Sequence, residues 1–144
     1  MYNKIVNSKK AEGNAYRGQS YYFGVDYILF DINHDGIKEC IIGEVGGIDT
    51  TFFVYTIKNG NAVYCGNSDD LNYGSNYYPS YTNVAYYDSR DFYFLANGNT
   101  QSLFRLSLNG TRLVASKDVN LSGNSLNVRG KSRWQVPNSK IKLL

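Results

Sequence analysis

Residues 31–39 read Asp31-Ile32-Asn33-His34-Asp35-Gly36-Ile37-Lys38-Glu39 and carry the clearest chemical signal in the chain. Oxygen-bearing side chains fall at alternate positions. Gly36 follows the third of them, where a loop wrapping an ion must turn sharply. Hard oxygen donors without nitrogen or sulfur select Ca²⁺ over Zn²⁺ or Cu²⁺. Mg²⁺ ranks second, because it demands stricter octahedral geometry and keeps more water. Counting from Asp31, side chains at positions one, three and five are Asp31, Asn33 and Asp35. Ile37 offers a backbone carbonyl at seven, and Glu39 closes the site at nine, directly or through a water. Position twelve is Ile42, where an EF-hand needs a bidentate glutamate, so a strand–loop–strand site is predicted instead. The competing reading is a polar turn held by Asp and Asn side chains, with Gly36 serving only the bend. The mutual repulsion of three carboxylates in nine residues argues for the cation.

Little else in the chain could do chemistry. His34 is the single histidine; it occupies a non-ligand position in the loop and is expected to face solvent. Cys40 and Cys65 are the only cysteines and lack the His or Cys-x-x-Cys context of a reactive thiol. They read as two buried apolar thiols, with a disulfide as the alternative in an exported chain. Glu44 and Asp49 remain as acids for a weak hydrolase, once Glu39 is assigned to the loop. Gly43, Gly46 and Gly47 do not open a helix, so no phosphate cradle is predicted. The expectation is a non-catalytic chain. The remaining candidates are Tyr73, Tyr77, Tyr78 and Tyr81, crowded into one loop with Asn72, Asn76 and Pro79. Tyrosine gives a large rigid face with a polar tip, suited to sugar rings or a protein partner. The alternative is that these rings pack over the open ends of sheets.

The elements that must position these residues are strands. Val25–Phe30 and Glu39–Val45 flank the acidic loop. Phe52–Lys58 alternates with Phe53, Tyr55 and Ile57 on one face, and Asn59-Gly60 turns it into Ala62–Gly66. A second set follows: Asn83–Tyr87, the turn Asp88-Ser89-Arg90-Asp91, Phe92–Ala96, a turn at Asn97-Gly98, and Ser102–Leu108. Asn109-Gly110 then turns the chain into Arg112–Ser116. Weaker strands are expected near Leu126–Arg129, Arg133–Val136 and Ile141–Leu144. Tyr2, Ile5 and Val6 stand at helical spacing and predict a short N-terminal helix, and residues 11–20 read as loop. Gly60 and Gly110 lie fifty residues apart, and each set places two strands around an acidic turn before an Asn-Gly hairpin. The fold class is therefore all-β: an antiparallel meander of two propeller-blade-like four-stranded units, as an open blade stack or a sandwich. One domain spans 1–144, with a lead-in over 1–20, a first unit over 21–67, and a second unit with C-terminal strands over 82–144.

The stretch from Phe30 to Gly43 resembles the calcium loops of integrin-type propeller repeats, the FG-GAP and VCBS-like families, which run D-x-[DN]-x-D-G-x-x-[DE] between two strands. It is also similar to segments of exported or lipoprotein domains of Gram-positive bacteria. Cys40 departs from the usual Leu, which touches packing rather than ligands. The resemblance implies a blade-like β fold, a structural Ca²⁺ and an extracellular setting.

Composition narrows the setting. With 42% hydrophobic and 15% aromatic residues, the chain is globular rather than disordered. The net charge of +3 divides into +2 over residues 1–30, −5 over 31–110 and +6 over 111–144. The C-terminal bases are scattered, and no nucleic-acid motif accompanies them, so they read as a solvated strand face. No apolar run is long enough to span a membrane. Met1-Tyr2-Asn3-Lys4 does not open a signal peptide, which leaves a cytosolic chain or the mature part of an exported one. The calcium-type loop favours export, because extracellular Ca²⁺ fills weak sites. The expected function is a monomeric domain of a secreted or cell-surface bacterial protein that binds carbohydrate or protein. A structural spacer and a weak hydrolase are the alternatives.

Overall fold

The computed structural model describes residues 2–15, 22–46, 49–79, 84–118 and 128–136. Helix α1 (Tyr2–Ala15) precedes a four-stranded antiparallel sheet of β1 (Tyr22–Phe30), β2 (Glu39–Gly46), β3 (Asp49–Lys58) and β4 (Asn61–Asn67), in that order. A second antiparallel sheet contains β5 (Tyr78–Pro79), β6 (Val84–Tyr87), β7 (Phe92–Asn97), β8 (Ser102–Asn109), β9 (Arg112–Lys117) and β10 (Ser132–Gln135). Its order is β10-β6-β7-β8-β9, with β5 also paired to β7. The all-β class and the two meanders follow the sequence pattern, but the second sheet has six strands where four were expected. Beyond those four are β5, inside the tyrosine-rich loop and not expected, and β10, which matches the strand expected near Arg133–Val136 and returns to pair with β6. The C-terminal strand expected at 141–144 lies outside the described residues. Of the one expected at 126–129, Val128 and Arg129 are described and are not strand.

The two sheets pack face to face. Ile41, Val45, Phe52, Val54 and Cys65 of the first meet Ala85, Phe92, Phe94, Leu106, Leu113 and Trp134 of the second in one core. Phe52 stacks on Phe94 across the interface at 5.1 Å, and Trp134 lies tilted over Phe52 at 5.4 Å. Each such buried side chain contributes roughly 1.5–3 kcal/mol. Strand alternation sends the next residues to the opposite face. There Tyr27, Cys40 and Ile42 are covered by Tyr2 and Val6 of α1. The helix therefore caps an outer sheet face that would otherwise be apolar and wet, and it runs to Ala15, beyond the few residues the pattern of Tyr2, Ile5 and Val6 implied.

The hairpins are not equivalent. Asn59 and Gly60 both have positive φ (+52 and +78°), as a two-residue type I′ turn requires. In the other hairpin Asn109 is still paired, to Arg112, so Gly110 (φ +64°) takes the first turn position.

Two core-facing positions on the first sheet are tight or polar. A Cβ at Gly43 would lie 2.7 Å from Val136 Cγ2 and 3.1 Å from Phe52. Asp26 stands in the same cross-strand row, opposite Gly43, and is 5% exposed with Oδ2 lacking a hydrogen-bond partner. Burial raises its pKa from 3.8 to about 6. The fold thus favours the protonated form.

Gly43→Ala is predicted to destabilise by about 1–3 kcal/mol through overpacking, read as a lower midpoint in urea. Asp26 should contribute stability that is fully present below about pH 3.8 and lost as pH rises through about 6. Asp26→Asn should therefore be about 3 kcal/mol more stable than wild type at pH 7, with a flatter pH profile between 4 and 6, measured by urea unfolding across that range.

Candidate metal loop and its surroundings

Phe30 and Glu39 are cross-strand partners, so the loop of 31–38 closes on the last rung of the β1–β2 ladder. Inside it the Asp31 carboxylate accepts the Asp35 N–H at 3.2 Å and the Gly36 N–H at 2.8 Å. Asp35 accepts the Ile37 N–H at 2.9 Å through Oδ1, and the Asn33 side-chain amide donates to its Oδ2 at 3.2 Å. Gly36, at φ +88°, makes the bend. These bonds leave lone pairs on both carboxylates, since each carboxylate oxygen has two. Asn33 Oδ1 is buried and has no hydrogen-bond partner. The loop thus brings Asp31, Asn33 and Asp35 together, with an acceptor that none of the described residues satisfies. That donor set fits a hard divalent cation. Ile37 is exposed, and its carbonyl is the fourth oxygen the sequence places here.

Glu39 is placed differently from the rest. It shares the core-facing side of β2 with Ile41 and is fully buried. Oε1 accepts the Ile32 N–H at 2.9 Å, and Oε2 accepts the Thr56 hydroxyl at 2.9 Å. Its carboxylate therefore forms the floor of the loop instead of lining it. Among the described residues no three His, Cys, Asp or Glu side chains gather into a ligand group. Burial, with Asp35 and Asp31 adding repulsion, raises the Glu39 pKa from 4.5 to about 6 against the pull of its two hydrogen bonds.

His34 is exposed, as expected, and it also bridges the sheets. Its Nε2 lies 2.8 Å from Arg90 O and 3.2 Å from Asp91 Oδ1, on the turn between β6 and β7. The residue holds φ +60°, a strained value for a non-glycine residue that costs about 1 kcal/mol or more. The turn it meets is itself rigid: Asp88 Oδ1 accepts the N–H groups of Arg90 (2.9 Å) and Asp91 (2.7 Å), and Tyr93 donates to Oδ2. Burial alone would raise the Asp88 pKa, but these donors and Lys131 hold it below its ordinary value. From the other side, the Tyr2 hydroxyl of α1 donates to Lys38 O at 2.7 Å. Composition gave no sign of either contact; the Thr56 contact was visible in principle, because alternation puts Thr56 on the face of Val54, and Glu39 on that of Ile41.

The tyrosines do not form one platform. Tyr73 is buried, donates to Ser68 O at 2.7 Å and packs edge-on against Phe104. Tyr77 packs edge-on on the same Phe104, with Lys117 Nζ 5.0 Å from its ring. Both rings cover the end of the second sheet's core-facing side, and Gly98 is needed against Tyr77: a Cβ there would lie 2.8 Å from the Tyr77 ring and 2.7 Å from Asn76 O. Tyr78 is exposed on β5, and Tyr81 lies outside the described residues. Cys40 and Cys65 face opposite sides of the first sheet and are free thiols, so they do not pair. Burial pushes them up to about 12 and about 11, which leaves both unreactive near neutral pH. Glu44 faces α1, 4.0 Å from Lys9 Nζ, and the Asp49 side chain is outside the described residues.

No protein-family model, curated protein or solved structure matches this chain.

Glu39→Ala should cost about 3 kcal/mol, because it leaves the buried Ile32 N–H and Thr56 hydroxyl without an acceptor. Glu39→Gln keeps one carbonyl oxygen for Ile32 and should cost less than half of that; denaturant midpoints of the two variants check the order.

Proposed function

We propose that this chain is a non-catalytic domain of a secreted or cell-surface bacterial protein. In this reading its 31–39 loop holds a structural Ca²⁺, and its surface binds carbohydrate or protein. The observation that carries the cation is the buried, unpartnered Asn33 Oδ1 between two aspartates that are already ordered by backbone N–H groups. Asp31, Asn33 and Asp35 would hold the ion with the Ile37 carbonyl, and Glu39 would support the loop from beneath through the Ile32 N–H. The ion would offset the repulsion among these carboxylates and fix the loop. The chain's own residues have already done much of that ordering: His34 ties the loop to the second sheet, Tyr2 ties its return to α1, and Glu39 ties its start to β3.

The non-catalytic reading rests on the fate of the candidate acids. Glu39 is committed to Ile32 and Thr56, and Glu44 stands beside a lysine. Among the described residues no helix is long and apolar enough to cross a membrane. The resemblance of the loop to exported calcium repeats supports the extracellular setting.

Calcium at one hundred times its dissociation constant should stabilise the fold by about 2.7 kcal/mol. Thermal melts with EDTA and with millimolar Ca²⁺ should therefore separate, with Mg²⁺ giving a smaller shift, and Asp35→Ala should abolish the response. A wild-type protein whose melting temperature ignores millimolar Ca²⁺ would sink the metal assignment.

A further inference from the structure

The 31–38 loop and the turn between β6 and β7 face each other across an open cleft of about 560 Å³, within the range of ligand sites. Asp31, His34, Gly36 and Lys38 line it from the loop, and Ser89 and Arg90 from the turn. The contacts of His34 with Arg90 O and Asp91 bridge its two walls. Asp31 is the one acid among the described residues of the lining, and both its oxygens accept loop N–H groups. Lys38 and Arg90 are exposed and make no ion pair among the described residues. Their backbone carbonyls, not their side chains, hold Tyr2 and His34. Two uncommitted cationic side chains thus stand on one cleft.

The donor set of the loop points to the same place. Ca²⁺ takes about six to eight oxygens. Asp31, Asn33, Asp35 and the Ile37 carbonyl offer four, and one more if a carboxylate binds through both its oxygens. Glu39, which the spacing assigned to close the shell, spends its oxygens on Ile32 and Thr56. The remaining positions on the ion therefore belong to water or to an oxygen from a ligand. The cleft reaches the loop at Asp31 and Gly36, so a ligand in it approaches the ion beside Lys38 and Arg90.

We infer that this cleft binds the carboxylate of an aspartate or glutamate side chain on a partner protein, with one oxygen on the loop's Ca²⁺ and the other on Arg90 and Lys38. Charge selects the group. Ca²⁺ completes its shell with hard oxygen, and a guanidinium fork matches a carboxylate. A phosphate, with close to two charges at neutral pH, is repelled more strongly by Asp31. The rim selects the source. Leu29 in the lining and Ile37 beside it stand exposed, at 36% and 42%. They suit apolar residues flanking an acidic side chain in a peptide, whereas a uronic acid, hydroxylated all round, would leave them wet. Binding is coupled to the ion, because without it the Asp31 and Asp35 charges repel an incoming carboxylate. The inference rests on the Ca²⁺ loop proposed above, takes the protein partner from the two ligand classes given there, and places binding at the loop instead of at the tyrosines of 73–81.

The test is titration of the full chain, with millimolar Ca²⁺ and again with EDTA, read by calorimetry and amide chemical shifts. The probes are blocked hexapeptides carrying one glutamate or aspartate among leucines and alanines, their glutamine and asparagine counterparts, and methyl glucuronide. An acidic peptide should bind saturably with Ca²⁺, with shifts gathered at residues 29–38 and 88–91. EDTA, the amide counterpart and Arg90→Ala should each weaken that binding at least about tenfold, and Lys38→Ala by less. Neither truncation removes a loop oxygen or a carbonyl contact, so both variants should keep the wild-type Ca²⁺ response in thermal melts. Saturating peptide should tighten Ca²⁺ binding by the factor that Ca²⁺ tightens the peptide. A wild type that responds to Ca²⁺ but shows no saturable shift with either acidic peptide at about 10 mM overturns this inference alone. One that ignores Ca²⁺ overturns the metal loop with it. Peptide binding that EDTA or Arg90→Ala leaves unchanged, or methyl glucuronide bound as tightly as the peptides, overturns the inference as well.

Discussion

The buried carboxylate of Glu39 is the constraint on which the loop and the core around it depend. A charge-capable group with no solvent exposure is tolerable only when its oxygens are bonded, and the two bonds it makes run in different directions. One reaches forward to Ile32, the residue that begins the loop and that is itself part of the inter-sheet core. The other reaches sideways to Thr56 on β3. A single side chain thereby fixes where the loop starts, where it ends and which strand it leans on. With that floor in place, the Asp31 and Asp35 carboxylates are left free to turn their own oxygens onto backbone N–H groups of the loop.

The same loop is the point where three otherwise separate parts of the molecule meet. His34 carries it to the 88–91 turn of the second sheet, and the Tyr2 hydroxyl carries α1 to its exit at Lys38. The core behind it is held by aromatic packing across the sheets, with Phe52 between Phe94 and Trp134. Asp26 departs from that apolar interior on the same sheet. It is a second buried carboxyl, but one whose Oδ2 has no bond to offset its burial. The contrast between Glu39 and Asp26 separates a buried acid that organises its surroundings from one that strains them.

Much of this was legible from residue spacing. Oxygen donors at alternate positions followed by Gly36 locate the loop, and Asn59-Gly60 locates a hairpin, because both depend on local backbone geometry. The role of Glu39 was not legible, since two local rules conflict there. Ligand spacing assigns it to the loop at position nine, whereas strand alternation assigns it to the core with Ile41, and alternation decides where its carboxylate points. The tyrosines were ambiguous because composition cannot tell a ring that covers a sheet end, as Tyr73 and Tyr77 do, from one that is exposed, as Tyr78 is. The pairing of β10 with β6 spans more than forty residues, and no local pattern encodes it. The His34 bridge is likewise a product of how the sheets stack.

Amide hydrogen exchange, residue by residue, with and without Ca²⁺, tests the central claim most directly. The account predicts that the Ile32 amide is strongly protected in both states, because Glu39 holds it, while Asp35, Gly36 and Ile37 gain protection when Ca²⁺ is added. An Ile32 amide that exchanges like an exposed loop without Ca²⁺, or loop amides that Ca²⁺ leaves unchanged, would contradict it.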